Sequence, residues 1–150
     1  MLVAAVIEKE GEHIAEALEK RLPGKLSIVR CRDMADVSAY APEVIVVSPN
    51  AKNEVVGTKL PGKCRAVLVP ENAGVRGAAS VSYGMSGQDT VSLTSNLGER
   101  CILSVGSMTA LDGAEIEPQE RSILRRGLTD DELMAAGAVG MLMGLPPESL

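Results

Sequence analysis

Phenylalanine and tryptophan are absent from the 150 residues, and Tyr40 and Tyr83 are the only aromatic side chains. The core must therefore be built from Val, Leu, Ile, Ala and Met, and the aromatic platforms on which proteins stack nucleobases are missing. Basic stripes are lacking too: the formal net charge is −5, with lysines and arginines interspersed among acids. This charge pattern argues against a nucleic-acid partner, because phosphate contacts supply most of such affinity. Histidine occurs once, at His13, and the cysteines Cys31, Cys64 and Cys101 are odd in number and widely spaced. That set suits neither a disulfide framework nor a zinc knuckle, so reduced buried thiols and no metal are expected. Long apolar runs are also missing. The first, Leu2 to Ile7, has no basic leader and stops at Glu8-Lys9-Glu10. It is too short for a signal peptide or a membrane span, so a cytoplasmic protein with no membrane partner is expected.

What is present is a chain 45% hydrophobic, rich enough in apolar residues for one globular domain with a proper core. The run Leu2 to Ile7 is a buried strand, and Ile14, Leu18 and Leu22, four residues apart, mark an amphipathic helix from Gly11 to Leu22 that stops at Pro23-Gly24. Lys25 to Arg30, Glu43 to Ser48 and Arg65 to Val69 supply three more strands. Short β-branched runs alternating with helical or irregular connections predict a parallel sheet covered on both faces. "LPGK" occurs before two of these strands, at Leu22 and at Leu60, as a stop in which Gly can take the left-handed position.

After Gly77 the strands come closer together. "AASVSY", "DTVSLTS", "CILSVG" and "AEIEPQERSIL" are joined by short turns, of which Asp112-Gly113 is the clearest, and they predict antiparallel hairpins. Thr129-Asp130-Asp131-Glu132 is a capping box opening an apolar helix that runs to Met143 and stops at Gly144 and Pro146. The expected fold is thus a three-layer α/β domain over residues 1–150, with a mainly parallel, Rossmann-like sheet of about four strands. It comprises β/α units over 1–77, an antiparallel extension over 78–126 and a C-terminal helix over 129–144.

Several motifs suggest chemistry without completing it. "GTKLPGKC", Gly57 to Cys64, matches the first seven positions of a phosphate loop, but Cys64 replaces the hydroxyl ligand and a strand follows where a helix is required. "GMSGQ" around Ser86 has Gln88 where a nucleophile elbow needs its second Gly, so we expect a bend using positive φ at Gly84 or Gly87, with Ser86 or Asp89 bonding local backbone. His13 has no visible catalytic partner and is expected to be solvated. Glu115, Glu117 and Glu120 are spaced as the outward face of an edge strand. The positional case is better: Glu8, Lys9, Ser48, Asn50, Glu71 and Asn72 leave the ends of the first, third and fourth strands, the edge where open α/β sheets hold ligands.

Three stretches resemble the central domain of the Mur ligases, the ATP-dependent amino-acid ligases of peptidoglycan synthesis. They are "AVLVPENA" (Ala66 to Ala73), "ASVSYGMSGQDTVSLTSN" (Ala79 to Asn96) and "DELMAAGAVGMLMGLPPESL" (Asp131 to Leu150). The likeness covers about the last 85 residues and implies an architecture, a main sheet joined to a small antiparallel one. The chain lacks a complete phosphate loop, the aspartate and histidine cluster for magnesium, a recognisable carbamylated lysine and the His-Asn pair opening the last helix, so the resemblance implies no ligase activity.

Every catalytic template lacks an essential group, and the expectation is therefore a non-catalytic accessory or interaction protein with no cofactor. The alternative is a small-metabolite or nucleotide-binding protein, possibly an enzyme, using the strand-end loops. The terminal helix has no polar side chain between Leu133 and Met143, and one sheet face covers only part of it; a second helix of the chain or a second subunit covers the rest, and with few helices in so short a chain a homodimer through this helix is expected.

Overall fold

In the computed structural model, residues 1–55, 57–70, 79–95 and 98–145 are described. The first strand, β1 (Leu2–Ile7), is buried along most of its length because successive side chains enter two different cores. Ala4 and Val6 point to one, Ala5 and Ile7 to the other. The helix α1 (Ile14–Arg21) follows and buries Ile14, Ala15, Ala17 and Leu18 on the front of the sheet. It ends before Gly24, whose φ of 72° is the left-handed turn expected there, whereas Gly62 in the second "LPGK" has no positive φ.

The strands β2 (Leu26–Cys31), β3 (Val44–Val47) and β4 (Ala66–Pro70) are parallel to β1, with β1 between β2 and β3. On the back, the helix α2 (Met34–Ser38) and the 3-10 turn Pro49–Glu54 bury Val37 and Ala51 against Ile7, Ile45, Val47 and Val67. Asp33 caps α2 by accepting from the Asp36 N–H at 3.0 Å.

The expectation of antiparallel strands throughout 78–126 is corrected here. β5 (Ala79–Tyr83) lies parallel to β4, and β6 (Val91–Ser95) is parallel to β5. A short connection between parallel neighbours is possible because only Tyr83 and Val91 pair. β6 starts where β5 stops and continues in its direction, so no return crossover is needed. The antiparallel part begins with β7 (Arg100–Val105), which pairs with β6 and with the edge strand β10 (Gln119–Leu124). The result is one eight-stranded, mostly parallel sheet in the order β10-β7-β6-β5-β4-β3-β1-β2 between two helical layers, a three-layer α/β fold.

The predicted strand "AEIEPQERSIL" is broken in two. β8 (Met108–Thr109) and β9 (Glu115–Ile116) form a separate hairpin around Asp112 and Gly113, where Gly113 has φ 90°, and Pro118 separates β9 from β10. Proline offers no N–H to a ladder, which accounts for the break.

The last helix, α3 (Asp130–Leu142), has both halves of its capping box: Thr129 Oγ1 accepts from the Glu132 N–H at 3.3 Å and Glu132 accepts from the Thr129 N–H at 3.1 Å. Every residue from Leu133 to Leu142 is buried within the one chain, against α1 and strands β4, β5 and β6. Of the two covers open to this helix, a second helix of the chain or a second subunit, α1 of the same chain supplies one, so the apolar circumference no longer calls for a homodimer. The C-terminal end of the helix is covered too, the Leu142 carbonyl accepting from the Leu111 N–H of the β8–β9 hairpin at 2.8 Å. Close packing rather than a partner uses the small residues: a Cβ on Gly137 would stand 2.6 Å from Leu103 Cδ2. Among the described residues no helix is long and apolar enough to cross a membrane.

Candidate functional site at the strand ends

After β1 the chain passes to the front of the sheet, and after β3 to the back, so the crevice between these two strands is a topological switch point. The segment β1, loop, α1 is also the strand-loop-helix arrangement that presents helix N–H groups to a phosphate. In this chain the loop "EKEGEH" brings its own anions.

Glu8 is the first. Its side chain is 1% exposed, and its carboxylate accepts from the Ile14 N–H at 2.7 Å and, through both oxygens, from the Ala15 N–H at 3.4 Å. His13, at the N-cap position, makes no side-chain cap, so a residue five positions earlier closes the helix end. The Arg30 Nε, on β2, donates to Glu8 Oε2 at 3.1 Å from a side chain that is largely solvated.

Glu12 is the second. Its Oε1 accepts from the Lys9 N–H at 2.8 Å and from the buried Ser48 hydroxyl, and its Oε2 accepts from the Asn50 N–H at 3.1 Å. One carboxylate thereby stitches the loop after β1 to the loop after β3. Lys9 is held as well, its Nζ donating to Glu54 at 2.8 Å and to the Arg32 carbonyl at 3.1 Å.

The structure thus brings Glu8, Lys9, Ser48 and Asn50 to one sheet edge, as their positions predicted; Glu12 ties Lys9, Ser48 and Asn50 together, while Glu8 bonds to Ile14, Ala15 and Arg30. Glu71 and Asn72 lie outside the described residues. Sequence reasoning missed Glu12. The signal for it was weak, since its partners Ser48 and Asn50 are 36 and 38 residues away and no local pattern couples them.

Beneath this edge Tyr83 donates its phenol proton to the Val47 carbonyl at 2.6 Å, reaching from β5 across β4 to β3. Burial, with the negative charges of Asp131 and Glu12 adding to it, pushes the phenol far above the usual tyrosine range. It serves as a neutral donor and not as a base. Above it is a cleft of about 260 Å³ between the starts of α1 and α3, lined by Glu12, His13, Asn50, Asp131 and Glu132 among others. His13 is exposed and stands 3.8 Å from Glu16.

The remaining motifs are structural. Gly57 to Cys64 leads into β4 and not into a helix. Ser86 Oγ donates to Asp89 at 2.8 Å and accepts from the Gln88 N–H at 3.4 Å, so its hydroxyl serves the turn. Positive φ is found at neither Gly84 nor Gly87, which corrects the conformation expected of that bend. Glu115, Glu117 and Glu120 are exposed, as expected of an outward edge. The three cysteines are buried and unbridged, and burial, reinforced by Asp36 and Asp33, pushes the Cys31 thiol up to about 11. Such a thiol is protonated and unreactive at neutral pH. Among the described residues no group of His, Cys, Asp and Glu is arranged to hold a metal.

Compared with protein-family models and with curated proteins, the chain matches none.

Proposed function

We propose that this chain acts by binding and not by catalysis, as an accessory or interaction protein built on a frame like the central domain of the Mur ligases but without its ATP chemistry. One observation carries the reading: the N–H groups of α1 that would face a nucleotide phosphate already hold the buried Glu8 carboxylate. An added phosphate would meet that fixed negative charge, and Glu12 adds a second across the crevice. The Ser86 hydroxyl is engaged with Asp89, and His13 lies exposed on the surface 3.8 Å from Glu16.

Titration calorimetry of the chain with ATP and magnesium tests this reading, with no binding heat expected. Micromolar affinity would overturn it. A thermal-shift panel of metabolites completes the test, because a ligand at about 100 times its dissociation constant stabilises by about 2.7 kcal/mol. A shift traced to the cleft at Glu12, His13 and Asp131 would replace the reading by that of a small-ligand protein working at the strand ends.

A further inference from the structure

The main sheet ends in two edge strands that differ in how they are protected. β10 is guarded: Glu120, Arg121 and Ser122 are exposed along it and Pro118 stands before it, the kinds of residue that keep an edge from pairing. β2, at the other edge, runs in unbroken register along β1 from Leu26 to Cys31, with no proline and no bulge. Its one charged side chain, Arg30, is drawn onto Glu8 of the same chain. Ile28 and Val29 are only half-buried, one packing on each core, so both keep apolar surface to cover.

The backbone of β2 shows which of its groups remain open. The Cys31 carbonyl accepts from the Glu8 N–H at 3.2 Å and so points towards β1. Alternate residues share that direction, so Ser27 and Val29 also bond inward, while the N–H and C=O groups of Leu26, Ile28 and Arg30 point out of the sheet. Among the described residues no strand lies beyond them. Arg32, the next residue of that set, is already engaged: its N–H donates to Asp36 at 3.0 Å and its carbonyl accepts from Lys9 Nζ at 3.1 Å.

We propose that a second copy of this chain pairs along this edge, β2 antiparallel to β2 across a twofold axis at Val29, so that the two main sheets become continuous. Such an axis stands perpendicular to the sheet, and facing residues must then point to the same side of it. Charge selects its position. With the axis at Val29, Lys25 faces the partner's Asp33 at both ends of the ladder. Lys25 is exposed and its ammonium has no partner among the described residues, and Asp33, whose Oδ1 caps α2, keeps Oδ2. Ile28 then faces the partner's Arg30, and these outward-pointing residues exchange both of their N–H···O bonds, while Val29 meets the partner's Val29 in the closer, non-hydrogen-bonded kind of pair. An axis at Arg30 would set Arg30 against the partner's Arg30. An axis at Ile28 would leave Lys25 opposite the partner's Cys31 and give Asp33 no cation. Opposite charges across a ladder stabilise it and like charges destabilise it, which favours Val29. The edge shares no residue with the lining of the strand-end cleft, so this pairing goes beyond the binding reading and does not depend on what that cleft takes.

Sedimentation equilibrium of the chain across the micromolar range tests the proposal, with the mass of a dimer expected. Amide hydrogen exchange should show Ile28 and Arg30 protected, to a degree that rises with protein concentration. Ile28→Pro removes an outward N–H that no bond inside the chain uses, a position where edge strands accept proline, and should leave a monomer. Lys25→Glu, at an exposed position before the strand, sets like charges opposite each other at both ends and should raise the dissociation constant about tenfold. Unchanged circular dichroism verifies the folding of each variant, and Lys25→Glu decides the matter should Ile28→Pro fail to fold. A monomer throughout, with Ile28 and Arg30 amides exchanging as an unpaired edge does, would overturn the proposal and leave this edge to a strand of another protein. A dimer whose affinity Lys25→Glu leaves unchanged would overturn it too, by placing the interface elsewhere.

Discussion

Replacing Glu8 by alanine removes a buried anion from the end of α1, and the structure sets the size of the loss. The Ile14 N–H, at 2.7 Å, loses its acceptor, and the Ala15 N–H loses a longer one at 3.4 Å. A capping interaction contributes about 1 kcal/mol. Its ionised form in a buried setting adds charge-assisted bonding and the favourable dipole, bringing the expected cost to about 2–4 kcal/mol. The partner Arg30 is 66% exposed, so solvent screens its pairing, and Arg30→Ala should cost less than about 1 kcal/mol. The asymmetry between the two partners is the prediction. Urea unfolding at neutral pH measures both variants, and in a domain of this size about 3 kcal/mol also lowers Tm by roughly 6–12 °C. Hydrogen exchange at Ile14 and Ala15 should accelerate in Glu8→Ala and not in Arg30→Ala. A Glu8→Ala variant within about 0.5 kcal/mol of the parent, or an Arg30→Ala variant that loses as much, would refute the idea that this carboxylate is an internal occupant of an anion position.

Tyr83 supplies an alkaline test: its phenol is neutral in the folded chain and pushed upward by burial, whereas in the unfolded chain it ionises near 10. Above that pH the unfolded state binds fewer protons, so stability should fall with rising pH, and Tyr83→Phe should flatten the fall while costing about 1–2 kcal/mol at neutral pH for the lost bond to Val47. Parallel alkaline slopes for the two proteins in urea melts would contradict the assignment. Ala138 has no exposed surface, so Ala138→Glu should abolish cooperative unfolding and native circular dichroism by burying an unpaired charge. Sedimentation of a well-folded Ala138→Glu protein with a changed mass would instead place that residue in a subunit interface.

Local signals determined much of this protein. Continuous apolar runs wrote β1, β3 and β4 as strands buried on both faces, and a four-residue recurrence wrote α1. Thr129 to Glu132 wrote the start of α3 because a capping box is satisfied within four residues and needs no distant partner. Strand ends likewise brought Glu8, Lys9, Ser48 and Asn50 to one edge, since parallel strands share their direction. Relations between distant segments were decided by the tertiary structure. The path of the chain from β5 to β6 depends on an offset that leaves only Tyr83 and Val91 paired, and no composition rule records an offset. The cover of α3 depends on α1 and three strands meeting it at once, so an apolar circumference that looked open in sequence is closed in space. In the sequence Glu8 is legible only as a polar residue at a strand end, and Glu12 carries no local signal. Their burial and bonding come from the close approach of α1 to β1 and of Ser48 to the first loop, and such through-space proximity is created only when the sheet assembles.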